Sequence, residues 1–273
     1  MGAKVNFDGS TPVASKKEHF LAHANNKQRF VDMLSQKLEA ADCHVLQAVG
    51  DADVLIANTA VASAAESPTT VIGEDTDLLV LLICHADPES HTLYMQSDKK
   101  KGKKFRVWDI HWFQRSLGTE MCSLLPFAHA IAGCDTTSHL FGIGKGVPLR
   151  QLKNDQNFRK QAYVYSGEAT KEQIHHAGEA ALACLYGGQP NEGLDKLRHR
   201  KFCEKVSTSI APVQVHTLPP TSAAAKNHSV RVYYQVQDWM GHRALDPQQW
   251  GWTLEEGRLA PQQWTYLLHQ ILC

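Results

Sequence analysis

A short apolar strand followed by two acids and a longer apolar run is the most informative pattern in the chain. Residues 71–83 begin with two β-branched residues, pass through a glycine to Asp75 and Asp77, and end in an unbroken apolar run. This pattern predicts a buried strand that delivers acids to its C-terminal edge before a buried helix or strand. In open α/β sheets that edge is where ligands bind. The alternative is a turn whose aspartates cap the next element.

Helical periodicity dominates the N-terminal part of the chain. Residues 16–41 place four apolar side chains on one helical face. An Asn-Asn pair at positions 25–26 is expected to divide this stretch into two helices, since Asn prefers caps to helix interiors. The flanking residues 5–9 and 44–49 have the pattern of short strands, and residues 51–65 that of an Ala-rich helix with acids in its first turn.

The alternation of strand, turn and helix through residue 84 predicts an α/β fold with a mostly parallel sheet flanked by helices. Residues 92–96 and 105–108 look like two further strands, joined by a turn that holds five lysines between positions 98 and 104. A solvated hairpin tip is one interpretation of this turn. Phosphate contact or a nuclear-targeting signal is the other.

The second half of the chain is predicted to be largely helical. Residues 109–117 and 120–132 have helical patterns, and residues 150–210 continue as polar helical sequence with loops. Thr221 is expected to cap a helix that ends before Gly241. Four tryptophans follow residue 238, and they predict a small helical appendage over residues 211–273 that packs onto the core or binds a protein partner. The proposed domains are therefore 1–210 and 211–273.

Composition narrows the class of protein. Hydrophobic residues make up 43% of the 273 residues and charged residues 21%, as in ordinary globular proteins, and the formal net charge is zero. Any nucleic-acid surface must therefore be a local patch. Seven scattered cysteines without a C-x-x-C pair favour a reducing compartment. The start of the chain lacks an apolar signal segment, and the longest apolar run is far shorter than the ~20 residues of a membrane helix. We expect an intracellular protein without a membrane partner.

Six aspartates fall at predicted junctions between elements, and their shared position suggests a metal centre. Carboxylates at strand ends and adjacent helix starts converge on one crevice, where they repel each other unless cations are present. All-oxygen ligation suits Mg²⁺ or Mn²⁺, and two such ions would clamp a phosphate and activate water. Each aspartate alone is unspecific, because Asp is common at caps and turns. The six residues are Asp8, Asp51, Asp53, Asp75, Asp77 and Asp135.

The order of these acids carries a resemblance to a known family. The series FDG (7–9), GDADV (50–54), GEDTDLL (73–79), AGCDTTS (132–138) and GIGKG (142–146) resembles the flap-endonuclease-like branch of the PIN nuclease superfamily. The resemblance covers residues 7–152 and implies that the six aspartates are metal ligands or their neighbours. It implies catalytic roles for Asp75, Asp77, Asp135 and Lys16. The family's paired acids are usually Glu, whereas this chain has the shorter Asp.

The glycine run after position 141 resembles the helix–turn–helix with which this family grips duplex DNA. The implied DNA-gripping segment spans residues 125–205, and its implied phosphate contacts are Gly142, Gly144, Lys145 and Gly146. Two departures bear on activity: the family begins with an earlier Asp-bearing strand, and its helical arch is longer than residues 10–49. Relatives also continue into a Cys-rich tail, so the chain is expected to be a fragment. Residues 218–239 and 245–252 resemble animal proteins of mobile-element origin.

Three hypotheses follow from these patterns. The first is a PIN-like phosphodiesterase that uses Mg²⁺ or Mn²⁺ to cut structured or branched DNA. The second is a non-catalytic nucleic-acid-binding or protein-interaction module derived from such a nuclease. The third treats the acids as helix caps and the tryptophan-rich segment as a partner surface. Bound divalent ions would stabilise the fold under the first hypothesis and not under the third.

Overall fold

A computed structural model describes residues 4–8, 10–12, 16–48, 50–101, 104–189, 191–208, 210–242, 245–255 and 258–262. The chain divides into two compact units, Met1–Ala52 and Asp53–Cys273. Among the described residues, none of the helices is both long and apolar enough to cross a membrane.

The first unit contains a short helix, α1 (Lys17–Leu21), and a longer one, α2 (Ala24–Glu39). The predicted division of the helix is confirmed, but it lies two residues before the Asn pair. Asn26 is instead buried, where its amide donates to the carbonyl of Phe20 at 3.0 Å and accepts from the backbone of Val5 at 2.9 Å. Asn26 therefore ties the N-terminal segment to the junction between the two helices.

The two strands predicted in the first unit are wrong. Residues 4–8 and 43–48 have no regular secondary structure. A strand requires a neighbour that takes its backbone hydrogen bonds, whereas in this unit the Val5 amide is bound by the Asn26 side chain. The predicted apolar face of α2 is present, but its Phe30, Leu34 and Leu38 side chains are exposed.

The second unit begins with a layer of helices on a small sheet. Helix α3 (Asp53–Glu66) leads into strand β1 (Thr69–Ile72), helix α4 (Thr76–His85), and strands β2 (Leu93–Lys101) and β3 (Lys104–Asp109). The strand order is β1-β2-β3, with β1 parallel to β2 and β2 antiparallel to β3. α3 packs on α4 with its small residues Ala57, Ala60 and Ala64 buried.

The mixed α/β class is confirmed, but a mostly parallel sheet is not what forms over the described residues. Only the β1–β2 connection contains a crossover helix, which a parallel pair requires. The lysine-rich segment is too short for a crossover connection. Strands β2 and β3 therefore pair antiparallel as a hairpin, as the sequence predicted.

Seven α-helices follow the sheet in the described part of the chain, and most of the others pack on the buried helix α6. Pro126 lies inside α6, and all residues of this helix from Leu124 to Ile131 are buried. These helices are α5 (Ile110–Leu117), α6 (Thr119–Ile131), α7 (Gly146–Asn154), α8 (Gln156–Val164), α9 (Lys171–Leu185), α10 (Leu194–Thr208) and α11 (Ser222–Trp239). The last elements of the described residues are the antiparallel strands β4 (Trp252–Glu255) and β5 (Arg258–Pro261).

The predicted helical appendage is not a separate body in the described residues. The hydroxyl of Thr221 caps α11 as expected, by accepting from the backbone of Ala224. However, α11 packs against α6 and α9, with Val232 and Trp239 fully buried in the main core. Because α11 fills that core, no boundary near residue 210 separates it, and the segment after it forms a β-hairpin. Trp264 lies outside the described residues.

Candidate metal centre

The turn after β1 places two carboxylates at the start of a helix. Asp75 is the N-cap of α4, and its Oδ1 accepts a hydrogen bond from the backbone of Asp77 at 2.9 Å. The cap fixes the Asp75 side chain, and Asp77 follows in the first turn, where the helix dipole favours negative charge. Both interpretations of this segment therefore hold together: Asp75 is a cap, and it stands at the C-terminal end of a strand.

Helix packing brings a third carboxylate to the same place. Asp53 begins α3, and the packing of α3 on α4 sets its side chain beside the turn. Asp53, Asp75 and Asp77 each offer a carboxylate oxygen such that the three atoms lie within 4.8 Å of one another. The predicted convergence of these three acids is confirmed. We call them the aspartate cluster.

A buried histidine holds one member of the aspartate cluster. The Nε2 atom of His129, which is 6% exposed in α6, lies 2.5 Å from Oδ1 of Asp77. This contact restrains the Asp77 carboxylate from the side of the core. His129 could not be predicted from the sequence, because a single histidine in an apolar helix has no motif and no periodicity to mark it.

Lys145 completes a chain of contacts behind the aspartate cluster. Its ammonium donates to the carbonyl oxygens of Gly133 at 2.5 Å and His129 at 3.1 Å, and it lies 3.0 Å from Nε2 of His129. Burial lowers the pKa of Lys145, while the negative charges of Asp77, Asp135 and Asp75 act in the opposite direction. A half-buried cation thus offsets part of the repulsion within the aspartate cluster.

The position of Lys145 differs from the one that the resemblance implied. We expected this lysine to contact phosphates together with the glycine run, but its ammonium donates to carbonyls within the fold. The glycines themselves are open: a side chain at Gly142, Gly144 or Gly146 would meet no atom within 4 Å. The backbone of the glycine run is therefore accessible. The ammonium of Lys145 does not face solvent beside it.

Asp135 lies in the turn between α6 and α7 and is exposed. It acts on Lys145 through its charge, but it is not a member of the aspartate cluster. The turn is fixed by the Thr137 hydroxyl, which donates to the carbonyl of Ala130 at 2.7 Å, and by Gly133 at a φ of 105°.

Asp8, Lys16 and Asp51 belong to the first unit. The carboxylate of Asp8 accepts from the hydroxyl and backbone of Ser10 and from the hydroxyl of Thr11. These hydrogen bonds lower the pKa of Asp8 to about 2. The hydrogen bonds of Asp8 are therefore those of an aspartate that stabilises a turn. Lys16 is exposed directly before α1, and Asp51 is exposed two residues before α3.

Glu74, beside the aspartate cluster in sequence, binds the hairpin instead. Its carboxylate lies 2.6 Å from the ammonium of Lys99 and accepts from the buried hydroxyl of Ser97. The Lys99 and Ser97 hydrogen bonds lower the pKa of Glu74 to about 2. At least one lysine of the hairpin therefore has a structural partner, and Glu74 joins the turn after β1 to strand β2.

The aspartate cluster fits a hard divalent cation in donor type and spread. Mg²⁺ and Mn²⁺ prefer oxygen ligands, and the three carboxylate oxygens lie within 4.8 Å of one another. Comparisons with protein-family models, curated proteins and solved structures give no match for this chain.

Proposed function

We propose that the chain is a divalent-metal-dependent phosphodiesterase that acts on DNA. The observation that supports this proposal most strongly is the convergence of Asp53, Asp75 and Asp77 at the C-terminal end of β1. Three carboxylates held this close without a cation repel each other. A bound Mg²⁺ or Mn²⁺ removes that repulsion.

In this proposal the metal, when bound, supplies Lewis-acid stabilisation of the phosphate charge and a water of lowered pKa. Asp53, Asp75 and Asp77 hold the ion. His129 orients the carboxylate of Asp77, as partners of metal-binding side chains commonly do. Asp135 is exposed in the turn after α6, and the catalytic role that the resemblance implies for it stays a prediction, as does a second metal ion.

Two features support DNA as the substrate: the resemblance to the flap-endonuclease-like branch and the open glycine run. Gly142, Gly144 and Gly146 lead into the start of α7, and their backbone is free of side chains. Such a segment lets backbone amides approach phosphate oxygens. The proposed preference for structured or branched DNA is supported only by the resemblance to the flap-endonuclease-like branch.

The direct experiment is cleavage of a labelled flap substrate by the purified chain with Mg²⁺ or with EDTA. The proposal predicts cleavage that requires the metal and is lost in Asp75→Asn. Asn preserves the cap on α4, so this change removes charge with little cost to the fold. The matched control is Glu89→Gln, which removes an exposed carboxylate outside the aspartate cluster. Activity that is indifferent to EDTA and unchanged in Asp75→Asn would refute the proposal.

A non-catalytic nucleic-acid-binding module is the second candidate, and the position of Lys145 favours it. A cation built into the fold already offsets part of the charge that a metal ion would neutralise. This candidate predicts DNA binding that weakens steeply as salt rises, with no turnover under Mg²⁺ or Mn²⁺. The flap assay and a salt titration of DNA binding, done on the same preparation, separate the two candidates.

A further inference from the structure

A second polar site lies away from the aspartate cluster, in a cavity of about 660 Å³. Residues of α10 and α11, the turn after α6 and the end of the last hairpin line it. Its described lining includes two arginines and three histidines, and it contains no carboxylate: Arg198, Arg231, His139, His216 and His228. A cavity of this size admits a small organic molecule.

One of the residues that line this cavity, Arg231, is a buried cation without a counter-charge among the described residues. Arg231 is 6% exposed, and its Nη2 donates to the hydroxyl of Ser138 at 3.1 Å. Among the described residues, its Nε and Nη1 atoms have no hydrogen-bond partner and no ion pair. Those two atoms carry three of the five N–H groups of a guanidinium. Burial lowers the pKa of Arg231, with no acid acting against it.

The fold makes room for this arginine. Gly251, at a φ of 86°, presents no side chain to Arg231, and a Cβ there would stand 3.0 Å from the Cγ of the arginine. The hairpin is attached to α11 by the amide of Asn227, which donates to the carbonyl of Gln262 at 3.3 Å. Arg231 is therefore held in place by α11 and the hairpin, although it lacks the ion pair that buried charges ordinarily have.

The second arginine approaches from α10. The guanidinium of Arg198 donates to the carbonyls of Pro219 and Val215. These two carbonyls fix its orientation and leave its positive charge without a carboxylate partner among the described residues. Two arginine charges match the two negative charges of a phosphate monoester, whereas a carboxylate would balance only one.

The remaining lining residues suit an organic body attached to the phosphate. Phe141 and His216 form an edge-on pair at 5.4 Å, next to the apolar Leu140 and Val215. His228 donates from Nε2 to the carbonyl of Ile131, so its buried Nδ1 is an acceptor without a partner among the described residues. A hydroxyl on the ligand would supply the missing donor.

We propose that this cavity binds a phosphate monoester of a small hydroxylated molecule, with Arg231 and Arg198 as the phosphate-recognising cations. The proposal is independent of the metal-dependent activity, because it uses none of the residues of the aspartate cluster. A nucleoside monophosphate and a sugar phosphate share this chemistry and are distinguished by experiment.

The test is calorimetric titration of the full chain with adenosine 5′-monophosphate in EDTA, which excludes metal-mediated binding at the aspartate cluster. Adenosine and ribose 5-phosphate are titrated in parallel. We expect the monophosphate to bind and adenosine to bind at least about 30-fold more weakly, since a buried charge pair is lost. Binding of ribose 5-phosphate as tight as that of the monophosphate assigns recognition to the sugar phosphate alone.

Arg231→Gln should weaken binding of the monophosphate by at least about 30-fold, and Arg231→Lys, which keeps the charge, should weaken it less. The control Arg115→Gln removes an exposed guanidinium outside the cavity lining and should bind like the unchanged chain. Equal affinity for adenosine and its monophosphate, absence of binding by either phosphate, or unchanged binding in folded Arg231→Gln would overturn the proposal. The comparison of ligands on the unchanged chain decides the question even if Arg231→Gln does not fold.

Discussion

The Nε2 atom of His129 lies 2.5 Å from Oδ1 of Asp77, which joins the buried helix α6 to the aspartate cluster. Lys145 contacts the same nitrogen at 3.0 Å. The carboxylate that the sequence placed at a strand end is thus connected to the core by a histidine and a lysine. This chain of contacts gives the aspartate cluster a defined geometry before any ligand arrives.

Replacing His129 should weaken metal binding by about 10- to 100-fold, because loss of a partner that orients a ligand has this effect in other metal sites. The variant is His129→Gln, measured by calorimetric titration with Mn²⁺. His91→Gln, at an exposed histidine, is the control. Equal Mn²⁺ affinity in the two variants would show that His129 does not support the metal site.

Gly133→Ala should destabilise the fold by about 2 kcal/mol or more. The φ of 105° is unfavourable for alanine, and the new Cβ would stand 2.6 Å from the Cα of His139. Gly144→Ala is the matched control, since a Cβ there meets no atom within 4 Å. Urea denaturation of both variants measures the difference, and equal midpoints would contradict the role of this turn.

Glu74 should make the fold sensitive to acid. Its pKa is lowered to about 2 in the folded chain, from the ordinary value of 4.5, so its contribution is fully present above pH 4.5. That contribution is lost as the pH falls from about 4.5 through about 2, because the unfolded chain then binds the proton more readily. Denaturation midpoints between pH 6 and pH 2 should fall less steeply in Glu74→Gln than in the Glu89→Gln control. Parallel curves in the two variants would contradict this assignment.

Val232→Ala in α11 should lower the stability of the whole second unit by about 2 kcal/mol, since it empties a fully buried position. Val215→Ala, at a valine that is 66% exposed, should have little effect. Urea unfolding followed by tryptophan fluorescence and by circular dichroism checks the prediction. Separate transitions for the two probes in Val232→Ala would indicate that α11 is not part of the core.

The features that sequence analysis predicted correctly are local ones. The strand before Asp75, the helix after it and the lysine-rich hairpin depend on short-range patterns of apolar residues and turns. The cap at Thr221 depends on one residue and the helix that follows. Such features are set by neighbours in the chain. The bounds of the hairpin strands were nevertheless wrong: β2 extends to Lys101 and β3 begins at Lys104, so most of the lysines predicted in the turn lie in strands.

The features that sequence analysis missed depend on partners far away in the chain. The strands predicted at residues 5–9 and 44–49 required pairing partners that the described part of the first unit does not provide. Helix α11 is buried because it packs against α6 and α9. Its burial could not be predicted from hydrophobicity, because the buried residues include the polar His228 and Arg231. His129 acquired its role from packing against Asp77, more than fifty residues earlier.

The most direct test of the metal centre is a calorimetric titration of the full chain with Mn²⁺, with Mg²⁺ as competitor. We expect saturable binding of Mn²⁺ that Mg²⁺ displaces, that Asp75→Asn or Asp53→Asn abolishes, and that Glu89→Gln leaves unchanged. Absence of saturable binding, or equal binding in Asp75→Asn and Glu89→Gln, would show that the aspartate cluster is not a metal site.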